Sequence, residues 1–151
     1  LFLLLFVLIN FGWRAWNFVL FVAINVTITD QLSSNFFKHW VPRLRPCQDI
    51  LMQDKVRLIV NHCSGGNSFQ SSHATNHFGA AVFFFFTLKP YLKNYAWLFF
   101  FWAATVSYGQ VYVGVHYPTD VIGGTIIGSI IGYVMAFIYN KKIKLPELKT
   151  A

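Results

Sequence analysis

Apolar runs and polar clusters alternate along this chain, and the alternation predicts its elements. Long apolar stretches cover 1–12, 15–28, 74–88, 91–108 and 121–139. A helix that crosses a bilayer needs about 20 mostly apolar residues, so four or five of these can serve, the first being short as it stands. Between the second and the third lies the one long polar tract, where Pro42 and Pro46 stop any helix and Gly65 and Gly66 mark a turn. A loop of that length is of the size that carries function. Arg14 predicts a short turn between the first two stretches, and Lys89, Pro90 and Lys93 predict another between the third and fourth. Ser71 and Ser72 stand where the N-cap of the third helix belongs; behind Pro118, Thr119 or Asp120 is the expected cap of the last.

Composition turns this pattern into a fold class. With 56% hydrophobic and 11% charged residues in 151, the chain holds more apolar surface than one small soluble core can bury. The expectation is an all-α, polytopic transmembrane helical bundle, a single domain over 1–151, with 38–72 as an extracytoplasmic loop. The chain starts inside an apolar run without Met, the charged n-region or the cleavage site of a secretory signal. We therefore expect an N-terminal part to be missing, with five or so spans visible.

The net charge of +7 does not point to nucleic acid, because the cations sit between and after apolar segments instead of along one basic stripe. If the segments alternate across a membrane, Arg14, Lys89, Lys93, Lys141, Lys142, Lys144 and Lys149 fall on one side. The positive-inside rule makes that side cytoplasmic and turns the long loop outward. That loop holds both cysteines, Cys47 and Cys63; a disulfide and two packed thiols are equally open readings. Two Cys and His62 without tight spacing make a weak zinc signal, and neither a metal nor a cofactor is expected. In the last helix Gly124, Gly128, Gly132 and Ala136 place a small residue every four positions, which lets another helix approach closely. The partner is either a helix of the same chain or, in a homo-oligomer, a second copy.

The polar clusters hold what cleavage of a phosphate ester requires: cations for the oxygens, N–H donors, a nucleophile, and an acid for the leaving group. Lys38 and Arg45 supply charge, and the Arg45 fork can grip two oxygens at once. Ser71 and Ser72 offer hydroxyl and main-chain donors at a helix start, where anions are favoured. His73 and His116 are the candidates for attack and proton transfer. Asp120, four residues after His116, can hold that ring in one tautomer if the turn at Pro118 brings them together.

Lys38, six residues and Arg45-Pro46, then Ser71-Ser72-His73, then Gln110, five residues, His116, three residues and Asp120 resemble the type 2 phosphatidic acid phosphatase (PAP2) superfamily, with its K-x6-RP, PSGH and SR-x5-H-x3-D motifs. The run from Tyr112 to Asp120 looks like that of bacterial members. The resemblance implies a helical membrane enzyme, normally of six spans, in a bacterial inner membrane. It would remove phosphate from lipid phosphates or diphosphates at the outer face without a metal. By that likeness His116 is the nucleophile forming a phosphohistidine, Asp120 its partner and His73 the acid. Lys38, Arg45, Ser71 and Ser72 hold the phosphate. The membrane-embedded substrate is of the undecaprenyl diphosphate, phosphatidylglycerol phosphate, phosphatidic acid or lipid A type.

The second motif reads Gln70-Ser71-Ser72-His73, which keeps the serine and the histidine. The third reads Gly109-Gln110 where the family has Ser-Arg, so a neutral amide replaces a permanent charge. Losing one donor to a developing anion costs on the order of 100- to 1000-fold in rate. Gln110 therefore predicts a weakened phosphatase or, as the alternative, a non-catalytic lipid-phosphate binding or transport protein.

Overall fold

The computed structural model describes residues 2–52 and 55–146. Leu1 of the first apolar stretch and Lys149 of the cationic set lie outside the described residues. The described residues are helical, with no strand: α1 (Phe2–Phe11), α2 (Ala15–Gln31), a short turn α3 (Lys38–Trp40), α4 (Ser72–Leu92), α5 (Leu98–Tyr112) and α6 (Pro118–Lys142). Leu3 and Leu4 share a small apolar cavity with Phe18, Val19 and Val22, so α1 lies back along α2. The reversal occurs at Gly12, whose φ of +53° glycine adopts without steric cost. Beyond Gln31 the helix widens into π-type turns over Leu32–Phe37 and ends at Trp40, before Pro42.

The tightest contact in the molecule joins α4 to α6. A Cβ placed on Gly124 would lie 2.6 Å from the Ser71 carbonyl oxygen; one on Gly128 would collide with the Thr75 carbonyl, and one on Gly132 with that of Gly79. The glycine stripe is thus filled by α4 of the same chain, the first of the two partners its spacing allows, and these glycines are not free for the alternative, a homo-oligomer contact. Below it Phe18, Phe83 and Tyr139 interlock at centroid separations of 5.5–5.9 Å, bringing α2 into the same core.

Two boundaries differ from expectation. Helix α4 does not stop at Lys89-Pro90 but runs to Leu92 and ends at Lys93, which has φ +49°. Proline removes the N–H that would bond the carbonyl four residues back; that carbonyl, Phe86 O, instead accepts from Asn140 Nδ2 at 3.0 Å. The expected fourth stretch is accordingly divided among the end of α4, a 3₁₀ turn over Lys93–Trp97, and α5. At α6 the cap is Tyr117 and not Thr119 or Asp120; Pro118 takes the first helical position, and the Asp120 carboxylate reaches back to the Tyr117 N–H at 2.9 Å.

Two stretches, Phe2–Trp40 with its bend and Pro118–Lys142, are long and apolar enough to cross a membrane. The other expected spans fall short of that measure: α4 spends its first turns on His73, Asn76 and His77, and α5 has 15 residues. The helices have two unlike ends. Phe11, beside the Arg14 turn, packs on Tyr91, whose hydroxyl donates to the carbonyls of Leu145 and Pro146; Arg14, Lys89, Lys93, Lys141, Lys142 and Lys144 gather at this end. The long loop and the N-termini of α4 and α6 form the other.

Because α4 and α6 meet backbone to backbone, Gly128→Ala should lower thermal stability by about 1–3 kcal/mol, as overpacking does. At Gly109 a Cβ would meet nothing within 4 Å, so Gly109→Ala should leave it unchanged or raised. Melting of both variants in detergent checks the contrast.

Candidate active site

Three segments converge at the loop end: the extended run after Trp40, the start of α4, and the turn between α5 and α6. That last turn reverses tightly. Gly114 has φ +81°, and a Cβ there would strike Val56 and the Arg57 carbonyl. The N–H groups of Val115 and His116 both donate to the Gln110 carbonyl at 3.2 Å, which aims the His116 ring inward.

His116, Arg45 and Asp120 come together here, all of them buried. Arg45 Nη1 lies 3.1 Å from His116 Nε2 and also donates to the Val115 carbonyl at 3.1 Å. A guanidinium can only donate, so Nε2 presents its lone pair and the ring proton belongs on Nδ1. Nδ1 faces Asp120 Oδ2 at 3.6 Å. The unshared pair of Nε2 is therefore directed at the cation that an incoming anion would seek. Arg45 Nε is buried with no hydrogen-bond partner, a further donor ready for one.

Asp120 is held from every side. Arg43 Nη1 donates to Oδ1 at 2.8 Å, Ser68 Oγ to Oδ2 at 2.6 Å, and the Tyr117 N–H to Oδ2. Arg43 also donates to Thr119 Oγ1 and lies over the Tyr117 ring, 4.0 Å from its centroid. The Ser71 N–H bonds the Asp120 carbonyl at 3.1 Å, which locks the start of α4 to the start of α6.

The remaining expected residues are placed as follows. Ser71 caps α4, its Oγ accepting from the Ala74 N–H; Ser72 Oγ accepts from Ser33 Oγ at 2.6 Å. Of the first N–H groups of α4, which have no carbonyl partner within the helix, that of Ala74 is taken by this cap. Lys38 is half-buried after the π-type turns, its carbonyl taking the Asn67 amide, and its charge acts on His116. His73 is not joined to His116 by any hydrogen bond among the described residues; it lines a separate cavity of about 530 Å³ with Ser72. Gln110 contributes its main-chain carbonyl. Cys47 and Cys63 are bridged, with Cα atoms 6.0 Å apart, and the closed loop lets Arg45 Nη2 reach the Gly65 carbonyl at 3.5 Å.

Sequence reasoning missed Arg43, Ser68 and Ser33. A signal existed for Arg43: in an extended segment, residues two apart share a face, so Arg43 and Arg45 reach neighbouring members of one cluster, Asp120 and His116. Ser68 and Ser33 carry no local signal, since their partners lie 52 and 39 residues away.

The family model of the PAP2 superfamily matches residues 3–144. A lipid A 4'-phosphatase of Bacteroides thetaiotaomicron is 36% identical over 137 residues, covering 87% of this chain and 59% of that protein. A lipid A 4'-phosphatase of Porphyromonas gingivalis is 36% identical over 118 residues, covering 78% and 49%. Phosphatidylglycerophosphatase B of Bacillus subtilis is 27% identical, covering 77% and 55%. The chain thus spans about half the length of these relatives. The crystal structure of a transmembrane PAP2-type phosphatidylglycerolphosphate phosphatase from Bacillus subtilis is similar with a TM-score of 0.57. At 23% identity over 95% of this chain and 71% of that one, this is a likeness of fold.

Burial holds the His116 imidazole below its ordinary pKa of 6.5; the Arg45 and Lys38 charges add to this and Asp120 opposes it. Protonating His116 thus costs the folded protein more than the unfolded chain, and stability falls as pH drops from 6.5 through the lowered value. An NMR titration of the ring should show a midpoint below 6.5, moved up in Arg45→Met and further down in Asp120→Asn.

Proposed function

The chain belongs to the PAP2 superfamily, and from that premise we propose that it is an integral membrane phosphatase hydrolysing the phosphomonoester or diphosphate of a lipid phosphate. The observation that carries the reading is the 3.1 Å approach of Arg45 Nη1 to His116 Nε2. It supports a phosphate that is gripped by the guanidinium and meets the imidazole lone pair.

Arg45, Lys38, the hydroxyls of Ser71 and Ser72 and the Ser72 N–H hold the non-bridging oxygens, whose charge grows as the reaction proceeds. His116 Nε2 attacks phosphorus; the N–P bond forms, the P–O bond to the lipid breaks, and His73 gives its proton to the departing oxygen. Asp120, fixed by Arg43 and Ser68, stabilises the charge that appears on the His116 ring. Water then attacks the phosphohistidine, His73 takes back a proton, the N–P bond breaks and phosphate leaves. The reading assigns no metal or cofactor.

The helices would cross the inner membrane of a bacterium as about five spans, with the cationic end in the cytoplasm and the site at the outer face. The oxidised Cys47–Cys63 pair in the site loop is in keeping with that orientation. Gln110 sits where the family places arginine, and the site as written lacks that charge.

Phosphate release from a panel of lipid phosphates in detergent tests this. His116→Ala should abolish turnover, and Gln110→Arg should raise kcat on the order of 100-fold. Background release from the parent and from Gln110→Arg on every lipid would overturn the phosphatase reading in favour of a lipid-phosphate binding protein.

A further inference from the structure

Arg45, the guanidinium that faces the nucleophile, is buried, yet no carboxylate among the described residues lies within ion-pair reach of it. Two main-chain carbonyls place it instead: Val115 O accepts from Nη1 at 3.1 Å and Gly65 O accepts from Nη2 at 3.5 Å. With no counter-ion to hold it, the guanidinium is only as fixed as the backbone that carries these two oxygens.

The Val115 carbonyl is set by the turn at Gly114, but the Gly65 carbonyl lies in a loop with no helix or strand around it. What fixes it is covalent. Cys47 follows Arg45 by two residues and Cys63 precedes Gly65 by two, so their bridge joins the chain on either side of the guanidinium. Gln48 reinforces the join: its Oε1 accepts from the Arg45 N–H and its Nε2 donates to the Ser64 carbonyl, both at 3.4 Å. The loop closed by the bridge then rests on the turn that carries His116. Asp49 Oδ2 accepts from the Tyr117 hydroxyl at 3.0 Å, the Ile59 N–H donates to the Val113 carbonyl at 3.4 Å, and Val56 and Arg57 lie against Gly114.

We propose that Cys47 and Cys63 are positioning residues for the reaction: their bridge holds the Gly65 carbonyl beside Arg45, and opening it frees the guanidinium from His116 while the helices stay packed. The proposal deepens the phosphatase reading and rests on it for the effect on turnover. The seam between α4 and α6 and the rings below it include no residue of this loop, so the helical core does not depend on the bridge. Both cysteines are partly exposed, and a small dithiol can reach them. In the exchange the dithiol gives two electrons and two protons, the S–S bond becomes two thiols, and the dithiol closes into its own disulfide. Full activity therefore belongs to the oxidised protein.

The test uses the full chain in detergent, oxidised, reduced with dithiothreitol and reoxidised, as the parent and as Arg45→Met. The charged groups acting on the His116 ring are Asp120, Arg45 and Lys38, and of these Arg45 is the one the bridge places. Reduction of the parent should raise the NMR titration midpoint of the ring toward that of Arg45→Met. It should also lower kcat/KM for a lipid phosphate roughly tenfold, as loss of one charge-assisted hydrogen bond does. Reoxidation should restore both, and Cys47→Ser with Cys63→Ser should match the reduced parent without any reductant. Reduction of Arg45→Met should leave its midpoint in place. An unmoved midpoint in the reduced parent overturns the proposal. So does an equal rise in both proteins, the result of general unfolding toward the ordinary 6.5, which makes the bridge a staple of the whole fold. The ring titrates whether or not phosphate is released, so a failed phosphatase reading gives a silent enzyme whose midpoint still responds to reduction.

Discussion

Asp120 has no exposed surface, and a carboxylate taken fully out of water costs several kcal/mol unless charge and hydrogen bonds replace its hydration. The site is organised around meeting that demand. Arg43 and Ser68 come from two parts of the long loop, the Tyr117 N–H from the turn before α6, and the Ser71 N–H binds the carbonyl of the same residue from the start of α4. One buried residue thereby ties together the loop at Arg43, the run from Ser68 into α4, and the turn before α6. Removing any one of these partners would leave the others correctly placed but the carboxylate under-solvated, which is why such clusters are costly to disturb in part.

This anchoring works because α4 and α6 are already in register. Their contact runs carbonyl to glycine at successive turns, so a slide along the axis would drive main-chain atoms into one another. The N-termini that meet at Ser71 and Asp120 are the upper end of the same seam. Below it the Phe18, Phe83 and Tyr139 rings fix α2, and α2 carries Ser33 up to Ser72. The order of cause runs from small residues in one helix to the positions of a few polar groups at its end.

Much of this was legible in the sequence. Four of the five apolar stretches each form a helix of their own, the fourth is shared between the end of α4, a 3₁₀ turn and α5, and the cations assigned to one side gather at one end, Lys149 being outside the described residues. The spacing that suggested His116 and Asp120 as neighbours reflects one helical turn past Pro118, which the chain makes. What could not be read depended on tertiary contacts. Pro90 stays inside a helix because Asn140, fifty residues on, takes the freed carbonyl. The glycine stripe is compatible with any close helix, and only the packing of α4 decides which one. Arg43 looks like a second juxtamembrane cation until Asp120 is seen beside it, and Ser68 is one serine among several in a polar loop.

The glycine seam has a mechanical side. A contact made of main-chain atoms has no rotamers to rearrange, so α4 and α6 act as one stiff unit. α2 and α5 meet that unit through long aromatic side chains, such as Phe18 on Phe84 and Phe85 on Trp97 and Phe100. These can swing without breaking a hydrogen bond. The upper part of α2 is tied to α4 by the Asp30–Asn76 and Ser33–Ser72 hydrogen bonds, so the looser boundaries of this unit are the aromatic ones. One of them, at Phe84, borders the cavity beside His73, while Asp120 rides on the stiff unit.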